Sequence, residues 1–135
     1  MNSYLGFRDL DFYKKSRALR IYISDLAKKF PVEEKYLLVS QLKRSSRSVT
    51  ATIAEGYGRY TYTDTRNFFV MARGSITETM EHLSTALDEK FITEEEFNNG
   101  NEMCETCFKL INGYIAWLDK SKAKVKTAAS QIPNP

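Results

Sequence analysis

Apolar residues recur along this chain at spacings of three and four, the period of a helix, and nowhere alternate as a strand would. Between Asp9 and Lys29, the residues Leu10, Tyr13, Leu19, Tyr22, Ile23 and Leu26 fall on one helical face. Asp9 and Asp11 suit the positive end of that helix, and Lys28 and Lys29 suit its negative end. Pro31 stops it. A second helix is predicted from Val32 or Glu33. Its buried wedge is Leu38, Leu42, Ser45, Val49, Ile53 and Gly56, and Gly56 and Gly58 read as its end. A third follows the turn TYTD, with Thr63 or Asp64 as the cap. Phe68, Ala72, Ser75, Thr79 and Leu83 form one stripe along it, and Phe69, Ile76, Met80 and Leu87 form a second. Gly74 lies inside this helix at a cost of about 1 kcal/mol relative to alanine. A glycine there predicts a second backbone passing close by. The fourth helix opens on a capping box, Thr93 with Glu96, and continues through Phe97, Met103, Cys107, Leu110, Ile111, Tyr114, Trp117 and Leu118. Four helices on short connections predict an all-α, antiparallel up-down four-helix bundle over residues 1–119. A basic, flexible tail is expected over residues 120–135.

Charge adds a second pattern to the first. Residues 1–60 carry twelve Lys and Arg against six Asp and Glu. Residues 61–119 carry four against eleven, and residues 120–135 carry four against none. A basic half beside an acidic half suits either attraction of phosphate or pairing of halves within or between subunits. The start of the chain lacks the apolar core of a signal peptide, and no window reaches the length of a membrane span. With only two cysteines, the expectation is a cytoplasmic protein with reduced thiols and no membrane association.

The residues offer little for catalysis. His82 is the only histidine, and a lone helical histidine more often edges a core than acts as a base. Arg73 and His82 stand nine residues apart, about 14 Å along a helix, too far to share one phosphate. Cys104 and Cys107 spell C-x-x-C, but a zinc site needs two further ligands, and the motif lies inside a predicted helix. Buried structural thiols are the better reading. Glu78 and Glu81 are three apart, yet one histidine cannot complete a di-metal carboxylate site. Gly56-Tyr57-Gly58 lacks the lysine and strand of a phosphate loop. The expectation is therefore no enzyme, no metal and no cofactor.

Basic residues are the strongest remaining signal. With Leu38 at the centre of the buried face, Lys43, Arg47 and Arg44 lie at about 140°, 180° and 240° and so point away from the core. Lys14 and Arg17 share a face of the first helix. Arg59 and Arg66 surround a turn rich in tyrosine, where Tyr57, Tyr60 and Tyr62 lie. Arginine with tyrosine can bind phosphate and stack on unpaired bases, although exposed charges usually serve only solvation. Ser40, Ala51 and Ala54 lie between the basic residues, where small side chains let another helix approach.

The segments FRDLDFYKKSRAL, KFPVEEKYLLVSQLKRSSRSVTATIAEGYGR and ARGSITET resemble the small helical proteins encoded in intervening sequences of bacterial 23S rRNA genes. They are also similar to the accessory variability determinant of diversity-generating retroelements. The likeness covers residues 7–92, and the fourth helix more loosely. The chain has Ser45 and Ser46 where relatives often carry alanine, and Thr52 where they carry asparagine. The resemblance implies a homopentamer of four-helix bundles without known catalysis. It also implies that retroelement relatives bind nucleic acid and a reverse transcriptase. On this basis RNA or DNA is expected on Lys14, Arg17, Lys43, Arg44, Arg47, Arg59 and Arg66. Ser48, Ala51, Glu55, Gly56, Gly74 and Glu78 are expected at helix or subunit contacts, with the two glutamates balancing arginines. The rival expectation is a protein-interaction scaffold, such as a reverse-transcriptase subunit, that touches no nucleic acid itself.

Overall fold

The computed structural model describes residues 6–124, and all the regular structure there is helical. A 3₁₀ turn at Gly6–Asp9 leads into α1 (Asp11–Ala27), followed by α2 (Leu38–Tyr57), α3 (Tyr62–Asp88) and α4 (Glu94–Lys124). The helices form a ring in which each packs on its neighbours in sequence and α1 closes on α4. α4 runs past residue 119 to Lys124, so the first residues assigned to the tail are helical. Residues 125–135 lie outside the described residues.

Three helices differ at their starts from the sequence expectation. α1 begins at Asp11 rather than Asp9, because residues 6–9 wind as a 3₁₀ turn and Leu10 adopts extended backbone. α2 begins at Leu38, not at Val32 or Glu33. Val32–Glu34 form only a 3₁₀ turn, and Leu37 leaves the helical region at φ −115° and ψ −104°. The Glu34 carboxylate then accepts the Leu38 N–H at 3.2 Å, which supplies the new helix with one of its missing partners. α3 is capped by Thr61 rather than Thr63 or Asp64; its hydroxyl accepts the Asp64 N–H at 3.1 Å. The predicted capping box of α4 is present in both directions. Glu96 Oε1 accepts the Thr93 N–H at 2.9 Å, and Thr93 Oγ1 accepts the Glu96 N–H at 3.1 Å.

The core is aromatic at one end and aliphatic along its length. Phe12 stacks on Tyr114 at 4.3 Å between ring centroids and meets Phe69 edge-on at 5.1 Å. Leu19, Ile23, Leu42, Val49, Ile53, Ile76 and Leu83 are fully buried beneath them. The α2–α3 seam is different, for small polar residues line it. Ser45 and Thr79 are buried and share a hydrogen bond at 2.8 Å, and Ser75 donates to Ser48 at 2.9 Å. Ser45 thus adds a cross-helix bond that an alanine, the residue the resemblance leads one to expect, would lack. Thr52, in place of asparagine, turns back to donate to the Ser48 carbonyl at 2.6 Å.

Gly56 is not a helix stop. It lies within α2, buried, where an added Cβ would come within 2.9 Å of Phe68 Cβ and of Phe69 Cε1. Gly58 follows as the C-cap with φ −82°, so the turn needs no left-handed glycine. Gly74 has no such neighbour within the chain. It faces solvent, and beyond its own stretch of helix no atom of the described residues lies within 4 Å of where its Cβ would stand.

The two glycines therefore predict opposite outcomes in urea unfolding. Gly56→Ala must displace the Phe68 and Phe69 side chains and lowers stability by about 1–3 kcal/mol. Gly74→Ala meets nothing and leaves stability unchanged or raises it by up to about 1 kcal/mol.

Candidate nucleic-acid interface

Because neighbours in sequence are neighbours in the ring, charge segregation along the chain becomes segregation in space. α1 and α2 together carry seven basic residues against three acidic. α3 and α4 to residue 119 carry three against ten. The α1–α2 side is therefore positive and the α3–α4 side negative.

Partners divide the seven basic candidates into two sets. Arg44 reaches across the seam to Glu78. Arg59 pairs with Glu55 at 2.7 Å, and its guanidinium lies over the Phe68 ring at 4.6 Å. Arg66 makes two bonds to Asp119, at 2.6 and 3.3 Å. These three already have their counter-charges. Lys14, Arg17, Lys43 and Arg47 have no ion pair or side-chain hydrogen bond among the described residues. Lys14, Arg17 and Arg47 are exposed and Lys43 is half-buried. All four belong to α1 or α2.

Sequence reasoning missed Arg20, which belongs with the second set. Its guanidinium donates to Thr50 Oγ1 at 2.9 Å, from α1 to α2. Thr50 in turn donates to the Arg47 carbonyl at 3.2 Å. The acceptor is neutral, so it fixes Arg20 in place without cancelling its charge. Arg20 and Arg47 line one groove of about 250 Å³ between α1 and α2. The signal was available, for Arg20 continues the spacing of three set by Lys14 and Arg17.

The contact candidates also separate. Glu55 and Glu78 balance Arg59 and Arg44 within the chain. Gly56 serves internal packing. Ser48 joins the α2–α3 seam through its bond with Ser75, Gly74 and Met71 are exposed on α3, and Ala51 is exposed on α2, where it lines the α1–α2 groove.

Glu78 is the electrostatic hub of that seam. It accepts from Arg44, and His82 Nε2 stands 3.2 Å from the same oxygen. The bond from Arg44 outweighs partial burial and holds the Glu78 carboxyl below its ordinary value. Glu96 is lowered in the same way, first by Lys29 and then by the capping bond from Thr93. His82 is half-buried, and Arg73 turns away from it to Asn112 at 2.7 Å. Cys104 and Cys107 are buried free thiols, and burial pushes the Cys104 thiol up to about 12. Among the described residues no group of three or more His, Cys, Asp or Glu is placed to hold a metal. No helix there is long and apolar enough to cross a membrane.

The model of the 23S rRNA-intervening sequence protein family matches residues 8–113. The chain belongs to that family. A search of curated proteins finds no significant match. Among solved structures, a protein of unknown function from the S23 ribosomal protein family of Bacteroides thetaiotaomicron is similar, with a TM-score of 0.71 and 26% identity. The likeness covers 77% of this chain and 97% of that one. The chain thus shares its helical scaffold with that structure.

Both lowered carboxyls stabilise the fold above the ordinary glutamate value of 4.5, and that contribution is lost as pH falls through their depressed folded values. Glu78→Gln and Glu96→Gln are each expected to flatten the acid limb of a stability-against-pH curve. An acid limb as steep as that of the parent chain would show that these pairs do not contribute.

Proposed function

We propose that this chain is a non-enzymatic, cytoplasmic protein, an antiparallel four-helix bundle assembled as a homopentamer, that binds RNA or DNA through its α1–α2 face. The observation that carries the reading is the pairing pattern. Arg44, Arg59 and Arg66 are neutralised by carboxylates, whereas Lys14, Arg17, Lys43 and Arg47 are left with their charge uncompensated on one side. Unpaired cations on one face attract a polyanion, and binding to phosphate releases counterions. The antiparallel order is supported by contacts whose numbers rise on α2 as they fall on α3: Ser45 with Thr79, Ser48 with Ser75, Gly56 near Phe69. The pentamer follows from the family resemblance. Solvent-facing Gly74, with the small residue Ser48 bonded to its neighbour Ser75, suits the close approach of a second subunit. A ring repeats the basic face, so weak contacts add through avidity.

One observation favours a second reading. The acidic α3–α4 side complements the basic side, so the α1–α2 face can instead dock an acidic protein surface. In that scaffold reading the partner is a protein, such as a reverse transcriptase, and nucleic acid is not bound.

Fluorescence anisotropy of labelled structured RNA and duplex DNA across a salt series separates the two. Binding is expected to weaken steeply with salt, with a log–log slope of about 0.9 per phosphate contact on duplex DNA. Replacing Arg17 and Arg47 by glutamine lowers that slope by about two, whereas replacing Arg44 and Arg66 changes it little. Absence of binding at low salt refutes the nucleic-acid reading and leaves the scaffold.

A further inference from the structure

The groove between α1 and α2 differs in chemistry from the open basic surface around it. Arg20 from α1 and Arg47 from α2 line it, and the ring of Phe7 with the mostly buried ring of Tyr13 forms an aromatic wall. Ala51 and Ala54 also line it, and their small side chains leave space. Phe7 meets Tyr13 edge-on at 5.0 Å and Tyr57 at 6.5 Å, so the wall is braced by α1 and α2 together. The Arg8 guanidinium lies over one face of the Phe7 ring at 4.6 Å and holds that ring in place from outside the groove. Among the described residues, no carboxylate lines the groove.

The geometry points to a site for one unpaired nucleotide, which rests on the nucleic-acid reading above and deepens it. Arg20 and Arg47 hold the phosphate, and the base packs against the Phe7 ring and the exposed edge of Tyr13. Arg20 is suited to this role because Thr50 orients it and leaves its charge intact. Stacking requires a base out of its helix, so the face takes single-stranded segments or loops in preference to continuous duplex. The Thr50 hydroxyl is already engaged by Arg20 and by the Arg47 carbonyl, so it is not free to read a ribose hydroxyl. Ribose and deoxyribose strands are equivalent to such a groove.

The test compares homopyrimidine strands, oligo-U and oligo-dT, with duplexes of equal length on the full chain at one salt concentration. Both strands are expected to bind about tenfold more tightly than duplex, the low range of what a stacked base contributes. Ala54→Met fills the groove without changing charge, and is expected to abolish the strand preference while duplex affinity stays the same. Phe7→Leu acts in the same direction, with its melting curve as the check that the N-terminal turn remains packed. A 4-thiouridine strand is expected to crosslink to the peptide that contains Phe7 and Tyr13. Equal affinity for strand and duplex overturns the groove and leaves the basic-face reading standing, as does a strand preference that survives Ala54→Met. A preference confined to oligo-U overturns the assignment to phosphate and base alone. Failure of every nucleic acid to bind overturns the groove together with the reading beneath it.

Discussion

The close approach of α2 and α3 is the constraint on which the other features depend. Gly56 lies against Phe68 and Phe69 with no room for a methyl group, and Ser45, Ser48, Ser75 and Thr79 form hydrogen bonds across the same seam. Small residues bring the two backbones together, and the short hydroxyl side chains satisfy one another where larger apolar ones would have held the helices apart. Arg44 can reach Glu78 only because the seam is this narrow. Once that pair forms, Arg44 is held at the α2–α3 edge and its charge is compensated. The opposite flank of α2, with Lys43 and Arg47, keeps its charge. The packing of one helix pair thus decides which cations are available for a ligand.

The same logic explains why the charge pattern along the chain survives folding. In a ring of four helices joined in sequence, the first two must share a side. A basic first half then becomes a basic side. Cross-helix pairs trim that pattern at its borders: Arg66 to Asp119 between α3 and α4, and Lys29 to Glu96 between the end of α1 and the start of α4. Such exposed pairs add little stability, and their greater effect is to remove charge from the surface potential. What remains is a compact field over α1 and α2, with Arg20 as its one geometrically fixed member.

Helical periodicity made the architecture legible. The buried wedge of α2, from Leu38 to Gly56, is the wedge that the sequence predicts, and the Thr93 box starts α4 where expected. The errors have physical causes. Val32 and Glu33 have no local signal against helix, and the break at Leu37 is backbone geometry set by the turn. A glycine near a helix end looks the same whether it closes a turn or accepts a neighbour's ring, so Gly56 was read as the former. Gly74 was read as an internal contact because sequence gives no means of telling an inner from an outer approach. At the candidate site, types and helices were legible but partners were not. Nothing in the sequence distinguishes Arg44, which is paired, from Arg47, which is free. Arg20 was passed over because its value comes from Thr50, thirty residues away.

Hydrogen–deuterium exchange of the full chain, with and without a saturating nucleic acid at low salt, tests the central claim most directly. Protection confined to the N-terminal turn, α1 and α2 is the predicted result. Protection on α3 and α4, or none on α1 and α2 under conditions where complex is present, would contradict the account.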